Sequence, residues 1–190
     1  MRDDIEIREE PMSQLPELAR IPIAFTIDRY YDVTGDRPPF ELVERMLDTP
    51  CVKDYDALFE NGPSDWPRQF DLSNWGLLFA IVDGRRAGGA VIAFDTPGAE
   101  MLNGRRDLAA LWDIRIQPEY RQRGIGRRLL ASIDEWSRDR NCREIRLETQ
   151  NINVPACRFY AKHGYSLASV KRNAYPELPD EIQFIWMKTL

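Results

Sequence analysis

Apolar and polar residues alternate with a period of two in several short stretches, and the chain switches to a helical period between them. Ile5 and Ile7 alternate with Glu6 and Arg8, which predicts a first strand over residues 3–9. A short helix is expected over 13–20, with Ser13 as N-cap, Pro16 at the third helical position and Glu17 near the first turn. Ile23, Phe25 and Ile27 alternate with Ala24, Thr26 and Asp28, and the cluster Thr34-Gly35-Asp36-Arg37-Pro38-Pro39 marks a turn. Residues 40–47 leave strand and helix open. Their apolar positions 40, 43, 46 and 47 suit a helix, whereas the preceding turn suits the second arm of a hairpin, the preferred reading. Residues 48–70 carry Asp48, Asp54, Asp56, Glu60 and Asp65 among Pro50, Pro63 and Pro67, and read as an acidic, mostly irregular connection.

The second half is patterned more sharply. Two apolar runs, Trp75 to Val82 and Ala87 to Phe94, flank Asp83-Gly84 and predict a hairpin. Residues 95–107 form a loop. In the strand Leu111 to Ile116, strict alternation puts Trp112, Ile114 and Ile116 on one face, and Asp113 and Arg115 on the other. Pro118 ends it, having no N–H for a ladder. A helix over about 124–140 follows, with the stripe Leu129, Leu130, Ile133 and Trp136. Ile145 and Leu147 then alternate with Arg146 and Glu148, so strand, helix and strand imply a right-handed parallel crossover. Val154 to Lys162 reads as a second helix, with Asn153 as N-cap, Pro155 in the first turn and Gly164 suited to a left-handed C-terminal position. Tyr165 to Val170 and Gln183 to Leu190 are the final strands.

Composition narrows the class. The 190 residues, 43% of them hydrophobic, suit one domain. No run approaches the roughly 20 apolar residues of a membrane span, and the start MRDDIEIREEP is charged, so a cytoplasmic protein without membrane contact is expected. Cys51, Cys142 and Cys157 are odd in number and far apart, and His163 is the only histidine, so no metal site is expected. A net charge of −5 disfavours nucleic acid as partner.

Against that balance, Arg121-Gln122-Arg123-Gly124-Ile125-Gly126-Arg127-Arg128 is a local basic exception between strand and helix. Its glycines let backbone N–H groups converge, and the first N–H groups of a helix lack internal partners. Together with the helix dipole this predicts an anion site suited to phosphate or pyrophosphate. There is no GxxxxGK[ST] loop and no full GxGxxG.

The ordered pieces resemble the GCN5-related N-acetyltransferase (GNAT) superfamily. The acyl-CoA signature [QR]-x-x-G-x-[GA] stands as Arg121 to Gly126. The signature N-x-x-A-x-x-[FL]-Y-x-x-x-G-[FY] stands as Asn153 to Tyr165. Within the superfamily the chain is most similar to streptothricin acetyltransferases, through Leu147-Glu148-Thr149-Gln150-Asn151-Ile152-Asn153, through Pro50-Cys51-Val52-Lys53-Asp54-Tyr55-Asp56 and through the tail from Tyr175 past Glu181 to Trp186. Residues 57–74 and 95–107 are longer than that pattern, and Met187 stands where the group tends to carry an aromatic residue.

The resemblance implies a GNAT fold of class α/β (α+β): a mixed, mostly antiparallel sheet of about seven strands flanked by helices, with a parallel splayed pair at the acyl-CoA site. It implies one N-acetyltransferase domain over 1–190, with a substrate-side part over 1–70 and an acyl-CoA-binding core over 71–190. Acetyl-CoA would be the cosubstrate and a small cationic amine, such as streptothricin, the acceptor. A protein or peptide amine and a non-catalytic acyl-CoA-binding module are the alternatives. Ile114, Arg115 and Ile116 would meet the pantetheine arm through their main chain, and a backbone N–H near Ile114 would serve as oxyanion donor. Arg121, Gln122, Arg123, Gly124, Ile125, Gly126 and Arg127 would hold the pyrophosphate, and Asn153 the pantetheine. Glu148 would be the general base, with Asp113 as competitor, and Tyr160 the general acid at the departing thiolate. His163, at a helix C-terminus, and Cys157 are read as structural. A homodimer is an open expectation, with no interface identifiable.

Overall fold

The computed structural model describes residues 4–35, 37–59 and 62–190. Residue 3 of the first expected strand, Asp36 of the turn cluster and Glu60 of the acidic connection lie outside them. Along the described chain run β1 (Ile5–Glu10), α1 (Leu15–Ala19), β2 (Phe25–Thr34), β3 (Glu41–Lys53), α2 (Tyr55–Leu58), α3 (Trp66–Gln69), β4 (Gly76–Val82), β5 (Arg85–Phe94), β6 (Leu108–Ile116), α4 (Ile125–Asp139), β7 (Glu144–Gln150), α5 (Val154–Lys162), β8 (Ser166–Lys171) and β9 (Gln183–Thr189). They form two compact units, one of residues 1–23, 55–145 and 189–190, the other of residues 24–54 and 146–188.

In the first unit the strands lie in the order β1-β4-β5-β6, each neighbouring pair antiparallel. The β4–β5 hairpin turns at Asp83 and Gly84, whose φ angles of 48° and 73° are both left-handed, as a two-residue hairpin turn requires. Helix α4 packs on β1, β4, β5 and β6 through the expected stripe, with Leu129, Leu130, Ile133 and Trp136 all buried. A second cluster joins Leu15, Leu18 and Ile21 to Leu77, Phe79, Val91, Ala93, Leu108 and Ala110, with Trp112 packed against it. Gly89 admits α1 here: a Cβ on it would lie 2.7 Å from Leu18 Cδ1 and 3.1 Å from the Leu78 carbonyl oxygen. Helix α1 itself starts later than expected. Pro11 and Leu15 frame a 3₁₀ turn over Met12–Gln14, the Ser13 side chain makes no cap, and Pro16 falls in the first two helical positions.

Strand β6 carries an irregularity that alternation could not show. Val91 pairs with Asp113 and Ile92 with Leu111, which leaves Trp112 as the extra residue of a β-bulge. Val91 belongs to the α1-side cluster, and residues directly opposite in an antiparallel pair share a face, so Asp113 lies on that side too. Arg115 follows two residues on, opposite Gly89. The expected grouping of Trp112 with Ile114 and Ile116 is therefore corrected: the bulge moves Asp113 and Arg115 to Trp112's side.

In the second unit β9 lies between β7 and β8, and β2 pairs with β3 as a separate antiparallel hairpin. The hairpin reading of residues 40–47 holds, but β3 runs on to Lys53, into the stretch expected to be irregular. Its register jumps there: Arg29 faces Met46 while Ile27 faces Cys51. Pro50, which has no N–H to donate, sits in the unpaired stretch between. Strand β7 alternates as expected, with Ile145, Leu147 and Thr149 buried. Seven sheet strands, four and three, with flanking helices are the α/β class expected. No helix among the described residues is long and apolar enough to cross a membrane.

Trp136 crosses β4 at Gly76. Its Nε1–H donates to Glu9 at 2.8 Å and the Arg140 guanidinium lies 3.6 Å above its ring. A Cβ on Gly76 would fall 2.6–2.8 Å from three indole atoms, and a rigid, doubly held ring cannot yield as a flexible side chain would. Gly76→Ala is expected to destabilise the protein by about 1–3 kcal/mol. Urea denaturation checks this; an unchanged midpoint would show that the ring moves freely.

Candidate active site

The first unit holds the strand end and the glycine loop. Beyond the bulge, Arg115 is 3% exposed, and a buried guanidinium must have every N–H satisfied. Nε donates to Asp113 Oδ1 and Oδ2 at 3.0 and 3.1 Å, and Nη2 to Asp113 Oδ2 at 3.0 Å. Asp56, on α2, accepts from Nη1 at 2.5 Å and from Nη2 at 3.0 Å, and the Ile21 carbonyl accepts from Nη1 at 3.2 Å. All five N–H groups are used. Burial alone would drive the guanidinium toward its neutral form, but the two carboxylates outweigh it and Arg115 stays charged. Burial pushes the Asp113 carboxyl up, with Arg115 opposing. Both oxygens of Asp113 are thus committed to a cation.

After Ile116 the chain turns through Pro118–Tyr120 and enters the loop. Gln122 and Gly124 take left-handed φ angles of 63° and 87°, and the Arg128 N–H bonds the Gly124 carbonyl at 3.1 Å as the first turn of α4 closes. Ile125, Gly126 and Arg127 are the first residues of that 15-residue helix, where backbone N–H groups have no partner within the helix. The arginines divide in role. Arg121 donates to the Ile116 carbonyl at 3.1 Å and the Pro22 carbonyl at 3.4 Å, and so ties the loop back to the strand end. Arg123 lies over the Tyr120 ring at 5.3 Å, and Arg127 and Arg128 are exposed.

The second unit holds the remaining residues. Asn153 caps α5, its side chain accepting from the Ala156 N–H at 3.2 Å. Tyr160 is buried beside Phe159 and Tyr165, with ring centroids 5.3 and 5.7 Å away. Gly164 has the left-handed φ of 89° that the helix end needs. His163 sets Nδ1 2.7 Å from the Phe159 carbonyl oxygen; a carbonyl only accepts, so Nδ1 carries the proton. Cys157 is buried beside Thr149, and burial pushes its thiol up to about 11, which keeps it protonated at neutral pH.

Glu148 sits half-buried near the end of β7. Tyr175 donates its phenol to Oε1 at 2.6 Å, Gln183 its amide to Oε2 at 2.7 Å, and Gln150 reaches Oε1 at 3.4 Å. All three partners are neutral, and Tyr160 is not among them. Tyr175, Gln183 and Asp56 were not singled out as site residues from sequence. An aromatic hydroxyl in the connection Asn173-Ala174-Tyr175-Pro176 was the available signal for Tyr175. Asp56 belongs to the acidic connection and to the segment from Pro50, and neither pattern points to Arg115.

A sequence model described as the acetyltransferase (GNAT) family matches residues 43–165. Streptothricin acetyltransferase of Escherichia coli is 34% identical over 165 residues, 85% of this chain and 83% of that protein. Streptothricin acetyltransferase A of Bacillus subtilis (strain 168) is 38% identical over 80 residues, 41% of this chain, and that match spans only 46% of the relative's length. Among solved structures, a Bacillus anthracis str. Ames protein assigned as a streptothricin acetyltransferase, in complex with acetyl coenzyme A, superposes with a TM-score of 0.76. Its identity is 23%, over 100% of this chain and 99% of that one, a likeness of fold.

Removing Arg115 would strand Asp113 as a buried, uncompensated acid. Arg115→Leu is expected to cost about 3–5 kcal/mol of stability. A denaturation curve that overlays the parent's would refute the buried-ion account.

Proposed function

The chain belongs to the acetyltransferase (GNAT) family and is an N-acetyltransferase with acetyl-CoA as its cosubstrate; we propose that its acceptor is a primary amine on a small cationic molecule of the streptothricin kind. The observation that carries this reading is the clamp on Glu148. Its carboxylate is oriented by three neutral donors, and among the described residues no cation pairs with it. A charge held open in this way suits an ammonium group. An amine with a pKa near 10 arrives protonated at neutral pH and must lose a proton before it can attack a thioester. Asp113, the competing acid, has both oxygens on Arg115 and is the poorer candidate.

On this reading Glu148 first binds the ammonium and then takes its proton. The freed nitrogen attacks the acetyl carbonyl carbon, the C–N bond forms and the C–S bond breaks. A backbone N–H near Ile114 steadies the oxyanion, Tyr160 gives a proton to the departing thiolate, and the second proton, shed by the nitrogen as the amide forms, restores the phenol. Gln122 to Arg127 hold the pyrophosphate through the first N–H groups of α4, with Arg121 bracing the loop. Asn153 keeps its amide NH2 for the pantetheine arm, since its cap uses only the oxygen.

A Cβ on Gly124 would meet nothing within 4 Å, so Gly124→Glu brings only left-handed strain and a negative charge. It is expected to cost about 1–2 kcal/mol in stability and to weaken acetyl-CoA binding at least about tenfold. Calorimetric titration reads the affinity; unchanged binding by a folded variant would remove the loop from the cofactor site.

Release of free thiol from acetyl-CoA, measured over a panel of streptothricin, a polyamine and a peptide with a free N-terminus, tests the acceptor. Turnover is expected on streptothricin, and Glu148→Gln should lower kcat by about 100-fold or more. Turnover on the peptide alone would overturn the small-cation reading. Tight CoA binding with no turnover on any amine would overturn the catalytic one. If Tyr160→Phe turns over normally, the proton reaches the thiolate by another route.

A further inference from the structure

Glu148 owes its setting to a segment that strand and helix patterns leave blank. Residues 172–182 run between β8 and β9 and are anchored at both ends within the second unit. At the start, Arg172 Nη2 donates to the Val33 carbonyl on β2 at 2.7 Å. At the far end, Glu181 pairs with Lys53 of β3 at 2.5 Å, both side chains largely buried. Asn151, 3% exposed, clasps the next residue: its side-chain oxygen accepts from the Ile182 N–H at 2.9 Å and its own N–H donates to the Ile182 carbonyl at 3.0 Å. Asn151 is itself bound to β2, through its amide NH2 to the Tyr31 carbonyl at 3.1 Å and its carbonyl to the Tyr31 N–H at 2.9 Å. Between the anchors, two turns close from Leu178 to Tyr175 and from Glu181 to Leu178.

So fixed a segment delivers one side chain to one place, the Tyr175 phenol at the Glu148 carboxylate. Gln183, the first residue of β9, comes to the other oxygen. We propose that Tyr175 and Gln183 are positioning residues for acetyl transfer, which hold the Glu148 carboxylate aimed at the acceptor amine. The inference rests on Glu148 being the proton acceptor.

The physical reason is that hydrogen bonds donated to a carboxylate favour its charged form and fix its rotamer. Neutral donors do this without neutralising it, as a lysine or arginine would. Tyr175 remains a donor throughout, because burial, and then the charge of Glu148, pushes its phenol well above the usual range. Arg146 shares the half-buried face of β7 with Glu148, and Glu181, paired with Lys53, lies near enough to raise the Tyr175 phenol further.

Removing a donor frees the Glu148 carboxylate to leave the geometry in which it meets the amine. Tyr175→Phe should lower kcat about tenfold. KM for acetyl-CoA should not change. Gln183→Met, of similar volume, should lower kcat in the same direction. Glu148→Gln in parallel separates the two claims. If it loses activity while Tyr175→Phe and Gln183→Met keep the parent's kcat, the positioning role is overturned and the base survives. A lowered melting temperature with an unchanged kcat would likewise reduce Tyr175 to a structural residue. If Glu148→Gln is fully active, the base assignment fails and the positioning role falls with it.

Discussion

The geometry of the first unit depends on one extra residue, Trp112 in β6. The bulge lets the strand keep its ladder with β5 while changing which side chains face α1. Before it, Leu108 and Ala110 fill the apolar cluster. After it, Asp113 and Arg115 arrive on that same side, where charge is costly. The sequence meets the cost with a closed set of partners. Asp113, Asp56 and the Ile21 carbonyl consume every N–H of the guanidinium. The same contacts fasten α2 and the end of α1's extension to β6, so a strand irregularity becomes an anchor for two segments distant in sequence. Replacing such a cluster by well-packed apolar residues is often neutral or stabilising, so its clearest effect is to fix one register and one loop position.

The two candidate bases, Asp113 and Glu148, are held in opposite electrostatic settings. Asp113 is neutralised by a cation that cannot deprotonate. Among the described residues Glu148 is bonded by a phenol and two amides. Their sequence contexts look alike, each at the polar phase of a strand. Only the partners tell them apart: the cation on Asp113 stands two residues on, at Arg115, whereas Tyr175 and Gln183 reach Glu148 from 27 and 35 residues away. The likeness between sites is one of residue type; the difference that matters for proton transfer is where the compensating charge sits.

What the sequence disclosed divides along the same line. Features set by local pattern were legible: the Asp83-Gly84 hairpin, the α4 stripe, the Asn153 cap, the left-handed Gly164 and the alternation of β7 all follow from neighbours within a few residues. The bulge was not legible, because Leu111 to Ile116 alternates faultlessly as a string and the extra residue exists only relative to β5. The late start of α1 was misjudged because Ser13 has the right chemistry for a cap but falls inside a 3₁₀ turn. Pro50 argued for an irregular connection, yet β3 passes through it where the register jump leaves no N–H wanted. The clamp on Glu148 was hidden for a topological reason, since it takes a 27-residue separation to bring Tyr175 to its carboxylate.

The arginines at 121–128 show why charge counting misleads at such a loop. The most sequence-distinctive of them, Arg121, opens the acyl-CoA signature, yet its guanidinium is turned onto two carbonyls of the first unit. Arg123 leans on an aromatic ring and Arg127 is exposed. On the proposed reading, what selects a pyrophosphate is then the direction of the first N–H groups of α4, fixed by the two left-handed residues Gln122 and Gly124. Exposed arginines add an attraction that salt screens and many anions share. A fixed set of backbone donors is neither screened nor mobile in the same way, and its spacing is set by covalent geometry. The glycine is therefore the part of the signature that carries shape, and Arg121 is the part that keeps the shape from relaxing.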